Sequence, residues 1–168
     1  MPATTNTFDL QHEVDLILNS IRDGLEKHPQ TAHDTMLFVL LDKAGTIERH
    51  AVVIKHNDRY DLMIRMIKKL AKQFSSRHHG ADLLGVALVA EANMTDPSDA
   101  SRETDVIMVE ALSATLTPCL AVLSTTRADG RLLPSTIYRA NVPPMPEHLR
   151  DFTNIYRQWQ PKAVARWN

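Results

Sequence analysis

The fold is indicated most clearly by residues 36–54, MLFVLLDKAGTIERHAVVI. Residues 36–41 form a short, continuous apolar run, which is typical of a buried strand. Residues 42–45 favour a turn, with glycine at the position where a positive φ is required. Residues 46–54 then predict the returning strand of a hairpin. The end of that strand, residues 51–54, is apolar at every position, so we expect it to be covered on both faces.

Amphipathic segments on both sides of this hairpin predict helices. Before it, apolar residues from Leu10 to Leu25 recur at helical spacing, and Pro29 ends the pattern. After it, the segment 58–79 carries a single apolar stripe, and Gly80 provides a C-terminal stop. The first half of the chain is therefore predicted to run helix, hairpin, helix.

The remainder predicts further strands and a last helix. Strands are expected at 84–92, 105–114, 119–126 and 132–142, with the polar segment 93–104 as a connection and a helix from Leu149 to Trp159. Pro134 indicates that its strand lies at a sheet edge. Short connections favour antiparallel pairing. We therefore predict a single α+β domain over residues 1–168 with flexible tails at 1–6 and 162–168. The order α-β-β-α-β-β-β-β-α forms one antiparallel or mixed sheet of about six strands with helices packed on it.

Two resemblances bear on this architecture. The opening order α-ββ-α-βββ resembles the roadblock and longin group of profilin-like domains, which implies a fold and no site. The segment Ala90-Glu91-Ala92, the Asp96-Pro97 loop with Arg102, and residues 105–110 resemble a family of small bacterial and phage α+β proteins without assigned activity. Neither resemblance assigns a role to any residue of this chain.

Composition excludes several classes of protein. Nineteen Lys and Arg residues balance twenty Asp and Glu residues, which argues against a globally basic nucleic-acid-binding protein. The apolar runs are too short to span a membrane, and the first residues do not form a secretory signal. The single cysteine, Cys119, cannot form an internal disulfide and suits a reducing compartment. The sequence therefore predicts a cytoplasmic protein.

Motif searches predict neither a cofactor nor a metal site. No phosphate-binding glycine loop and no nucleophile elbow occur. A zinc deaminase needs a second cysteine three residues after the first, but Val122 follows Cys119 at that spacing. His78 and His79 are adjacent and therefore point in different directions, which makes them poor joint ligands. The acidic set between Glu91 and Asp105 has no calcium-loop spacing.

Three residues are candidates for catalysis. Glu91 follows the apolar run 86–90, where a carboxylate needs solvent, a partner or an altered pKa. His50 and His56 flank the end of the second predicted strand. If these groups met in one pocket, the chain would be an enzyme with a carboxylate–histidine site near Glu91.

Two sets of residues are candidates for interaction. Basic side chains on the helix at 58–79 could dock on an acidic patch or bind nucleic acid weakly; they are Arg65, Lys68, Lys69 and Lys72. The aromatic residues Tyr156, Trp159 and Trp167 suit an interface. Because no complete catalytic set is visible, the preferred hypothesis is a non-catalytic cytosolic protein that acts through protein contacts and self-associates as a homo-oligomer. The enzyme and the nucleic-acid-binding protein remain the alternatives.

Overall fold

A computed structural model describes residues 8–55, 59–96 and 98–159 of the chain. It confirms the predicted α+β class and element order. The elements are α1 (Leu10–Lys27), β1 (Thr35–Lys43), β2 (Thr46–Ile54), α2 (Tyr60–Arg77), β3 (Asp82–Asp96), β4 (Asp99–Ser113), β5 (Pro118–Ala128), β6 (Arg131–Arg139) and α3 (Glu147–Trp159).

All six strands form one antiparallel sheet in the order β2-β1-β3-β4-β5-β6. Four of the five strand pairs are hairpins, and the β1–β3 pair is connected through α2. β2 and β6 are the two edges of the sheet, so the edge position predicted for Pro134 is confirmed. The edge position is where proline is tolerated, because a central strand would lose a ladder hydrogen bond.

Helices cover both faces of the sheet, but unevenly. α1 packs on β4, β5 and β6, while α2 and α3 pack together on the opposite face. Side chains of β1 alternate between the two cores: Leu37 and Val39 face α2 and α3, and Leu40 faces α1. Each core is therefore built from one face of the same strands.

Two arginine side chains tie α1 to both edges of the sheet. Arg49 on β2 donates two hydrogen bonds to Glu13, at 2.7 and 2.8 Å. Arg139 on β6 is paired with Asp15 on α1. The hydrogen bond from Arg49 to the nearly buried Glu13 raises the pKa of the arginine. These pairs orient α1 across the sheet.

The approach of α1 to the sheet requires a glycine on β3. A Cβ atom at Gly85 would lie 3.1 Å from the carbonyl oxygen of Leu112 and 3.2 Å from Leu10 Cδ1. Both distances are tighter than ordinary van der Waals contact. Gly85 therefore allows close helix-to-strand packing that a larger residue would obstruct.

Two expectations about the strands are wrong. The polar segment 93–104 is predicted to be a connection, but β3 and β4 pair through most of it. Backbone hydrogen bonds extend this hairpin beyond the apolar core, which hydrophobic periodicity does not reveal. Residues 51–54 of β2 are not covered on both faces, because Val53 is 42% exposed on the face where α1 packs on β4–β6 instead.

Candidate functional site

A cavity of about 420 Å³ lies between the sheet and the helices α2 and α3, beside Glu91. Its apolar wall comes from α2 and from the central strands β3 and β4. Its polar groups come from five elements: β1, α2, β3, β4 and α3. The lining residues are Thr35, Tyr60, Met63, Leu88, Ala90, Glu91, Met108, Glu110 and His148. An apolar cavity with a few convergent polar groups is the usual form of a small-molecule site.

A histidine and a carboxylate meet at the floor of this cavity. His148, near the start of α3, is only 6% exposed, and its Nε2 lies 3.3 Å from Glu110 Oε2. Its Nδ1 lies 3.4 Å from the hydroxyl of Tyr60. The Nε2 atom is buried and makes no hydrogen bond of good geometry, so it contacts Glu110 by proximity alone. Neither His148 nor Glu110 was singled out from the sequence.

Sequence periodicity could have pointed to one of these two residues. Glu110 interrupts the buried strand run of β4, between Val109 and Ala111, as Glu91 ends that of β3. His148 belongs to the amphipathic pattern of α3 and gives no separate signal. The contact between Glu110 on β4 and His148 on α3 depends on the tertiary fold, because 38 residues separate these two residues in sequence.

Glu91 itself lies at the rim of the cavity and is exposed to solvent. Its carboxylate accepts a hydrogen bond from the backbone N–H of His33. The condition set for a carboxylate–histidine site, that Glu91 and His50 share one pocket, is not met. His50 pairs with Val39, which pairs with Val86, so the register places His50 five residues away along the sheet and two strands across. His56 lies outside the described residues.

His50 instead belongs to a second cluster, at the edge of the sheet. Its Nε2 lies 3.1 Å from Glu48 Oε2 on the same strand. Its ring centroid lies 4.6 Å from that of His78, the residue that directly follows α2. The donor atoms of Glu48, His50 and His78 all lie within 4.8 Å of one another. His79, the other half of the sequence pair, is exposed.

The basic side chains of α2 lie on its exposed side. Arg65, Lys68, Lys69 and Lys72 are all solvent-exposed. Lys68 Nζ lies 3.5 Å from Asp151 of α3, and Arg65 and Lys69 border a shallow apolar cleft with Leu62 and Met66. The four residues thus form an accessible surface of which one member is already paired within the chain.

The C-terminal aromatic residues have different environments. Tyr156 was expected at an interface, and this is wrong: its side chain is fully buried in the core beneath α3. Tyr156 belongs to the apolar stripe of α3, and this stripe packs on the chain's own core. Trp159 is 58% exposed at the end of α3. Trp167 lies outside the described residues.

An apolar groove of about 350 Å³ opens on the other face of the sheet, between α1 and the β1–β2 hairpin. We call this region, with the neighbouring exposed part of β2, the β1–β2 surface. Its apolar members are Leu16, Ile21, Met36, Phe38 and Val53. Leu16 and Val53 are 44% and 42% exposed, and together with the partly buried members they give this surface several accessible apolar side chains.

Comparisons with protein-family models, curated proteins and solved structures give no significant match for this chain. Among the helices in the described part of the chain, none is both long enough and apolar enough to cross a membrane.

Proposed function

We propose that the chain is a non-catalytic cytoplasmic protein that acts through protein–protein contacts, and that its first partner is a second copy of itself. The observation that carries this proposal is the β1–β2 surface. Phe38 and Met36 are only partly buried there, and Val53 is exposed, because α1 packs mainly on β4, β5 and β6 and reaches β2 through the pair of Glu13 with Arg49. The cover that the sequence of β2 requires would come from outside the chain.

β2 is an edge strand of the sheet, and its outer edge favours pairing with an identical strand from a second copy of the chain. β2 has nine residues and contains no proline to block pairing. Two copies of one strand can pair antiparallel about a two-fold axis, and each then supplies the backbone donors and acceptors that the other lacks. The apolar side chains next to the edge would be covered in the same step.

The charges on β2 are compatible with such pairing. About an axis at Arg49, Glu48 of each copy would lie opposite His50 of the other, which places opposite charges together when histidine is protonated. Arg49 at the axis is already paired with Glu13 of its own chain. The formal charge of the whole chain is -1, so two copies repel each other only weakly.

Substituting Val53 by lysine tests this proposal. In light scattering we expect the parent to have twice the 18.9 kDa mass of the chain. Val53→Lys would place a charge on the exposed edge strand, so we expect this variant to be monomeric, with the Kd of dimerisation raised at least about tenfold. Val142→Lys is the matched control, because Val142 is 89% exposed outside the β1–β2 surface. A monomeric parent, or a Val53→Lys variant that remains dimeric, would contradict the proposal.

A second candidate function, acid–base catalysis on a small molecule, is favoured by the cavity beside Glu91. Glu110 is 27% exposed in its side chain, while its partner His148 is buried. Glu110 is therefore the group that a bound molecule would reach, and His148 would hold the carboxylate in place.

A base-sensitive probe tests this second function. Nitrobenzisoxazole opens its ring when a base removes the proton on its carbon atom. We expect the protein to accelerate this reaction and Glu110→Gln to lose at least about tenfold of the rate. Glu103→Gln is the control, because Glu103 is an exposed carboxylate on the same strand. A rate that Glu110→Gln leaves unchanged would eliminate this function.

A further inference from the structure

The cluster at the end of α2 combines three metal-ligand side chains from two elements. Glu48 and His50 are two residues apart on β2 and therefore point to the same face of the sheet. His78 is the C-cap residue that directly follows α2, and its backbone N–H donates to Phe74 O at 3.0 Å. The sheet and the helix thus bring the three side chains together from positions 30 residues apart.

Phe74 holds both imidazole rings in place. The ring of His78 stacks on Phe74 with centroids 5.3 Å apart and planes 19° apart. The ring of His50 meets Phe74 edge-on, at 5.6 Å and 74°. Phe74 is only 9% exposed and is part of the core between α2 and the sheet. Packing against a buried side chain limits the rotamers of both histidines, so little entropy is lost when they bind a ligand.

The distances between donor atoms are close to those of a coordinated ion. In a tetrahedral zinc site with bonds near 2 Å, donor atoms lie about 3.3 Å apart. His50 Nε2 and Glu48 Oε2 are already 3.1 Å apart, and the whole set lies within 4.8 Å. Small side-chain rotations would close the remaining gap. All three residues are partly exposed, which leaves room for an ion to enter and for water to complete its coordination.

The charge state of the cluster is also compatible with metal binding. Glu48 supplies a negative charge. Lys43 and Arg77 also face the cluster and oppose a cation, so we expect moderate affinity.

We propose that Glu48, His50 and His78 form a binding site for a divalent transition metal of the zinc type, with at least one coordination position open to water. Two imidazoles and one carboxylate favour such ions over Mg²⁺ and Ca²⁺, which prefer oxygen ligands alone. The bound ion would join the edge strand β2 to the end of α2. All three ligands belong to one chain, so the ion can bind without self-association, although Glu48 and His50 also lie on the strand that we propose to pair. Val53 lies on the opposite face of β2.

Zinc titration by calorimetry tests the site, with the untagged full-length protein and Zn²⁺ alone as the ligand. We expect one Zn²⁺ to bind per chain, and His78→Gln and Glu48→Gln each to weaken binding at least about tenfold. His79→Gln is the matched control, because His79 is the exposed neighbour of His78, and its Kd should stay within about twofold of the parent value. Co²⁺ in place of Zn²⁺ should give a visible absorption band in the parent and in His79→Gln only.

Two further measurements keep the result interpretable. Far-UV circular dichroism identifies a variant that loses binding because it has unfolded, and Glu48→Gln provides an independent variant on a different element. Val53→Lys should bind Zn²⁺ as tightly as the parent does. If only self-association fails, the parent is monomeric and still binds Zn²⁺; if only the metal site fails, the parent is dimeric and binds no Zn²⁺. The proposal is overturned if the folded parent binds no Zn²⁺, or if His78→Gln and Glu48→Gln bind as tightly as the parent.

Discussion

Phe152→Ala is expected to destabilise the fold by about 3–5 kcal/mol. Phe152 is fully buried in α3, and its ring centroid lies 6.4 Å from that of Phe74 on α2. The side chain therefore contributes to the contact that holds α2 and α3 together on one face of the sheet. Its removal leaves a cavity that rigid strands on one side and two helices on the other cannot readily fill.

Urea unfolding followed by circular dichroism measures this effect. A domain of this size is stable by about 5–15 kcal/mol, so the variant would lose a large fraction of its stability. Asn154→Ala is the control, because Asn154 is exposed on the same helix and its replacement should cost less than about 0.5 kcal/mol. A loss below about 1 kcal/mol for Phe152→Ala would show that α3 does not contribute to the core as described.

The second large effect is expected at alkaline pH, where Tyr156 makes folding depend on pH. Its side chain is fully buried, and its hydroxyl donates to Ala81 O at 3.3 Å. Burial, with a smaller contribution from Asp82, raises the pKa of Tyr156 to about 12 from its ordinary value of 10.0. The folded chain therefore favours the neutral phenol.

The direction of the pH effect follows from this shift. Below pH 10 both states keep the proton, and the stabilisation is fully present. Between pH 10 and 12 the unfolded chain releases the proton while the folded chain retains it, so the free energy of unfolding falls. The loss should total roughly 2–3 kcal/mol at pH 12.

Comparison of Tyr156→Phe with the parent isolates this contribution. At neutral pH the variant should be less stable than the parent by about 1 kcal/mol, because the hydrogen bond to Ala81 is lost. At alkaline pH it should lack the fall in the free energy of unfolding that Tyr156 causes in the parent. Tyr138→Phe is the control, because Tyr138 is 43% exposed on β6 and its replacement should leave the decline in place. Equal alkaline declines in the parent and in Tyr156→Phe would contradict the buried phenol.

The element order could be predicted because local signals agree along most of the chain. The apolar run at 36–41 and the turn at Gly45 specify a hairpin, and Gly45 adopts the required positive φ of 84°. Pro134 limits its strand to an edge. The extent of the β3–β4 hairpin could not be predicted, because its outer part is held by backbone hydrogen bonds between polar residues. The strand order could not be predicted either, because the sequence does not show that β1 pairs with β3, the strand that follows α2.

The candidate sites show the same division. Glu91 could be recognised from the sequence as a carboxylate at the end of a buried strand, but its histidine neighbour could not. The sequence offered His50, and the register of the sheet places that residue beside Glu48 and His78 instead. His148, which does face the cavity, comes from a helix at the far end of the chain.

The class of the fold and the order of its elements could be predicted from the sequence, because they depend on local periodicity and turn residues. The absence of several known catalytic motifs could also be read from it, because motifs are defined by residue type and spacing. Only the tertiary structure decided which side chains meet. It placed Tyr156 in the core, left Val53 exposed beside α1, and joined Glu48 and His50 to His78. These outcomes depend on strand register and on how far each helix reaches across the sheet, and both are set by packing between segments that are distant in sequence.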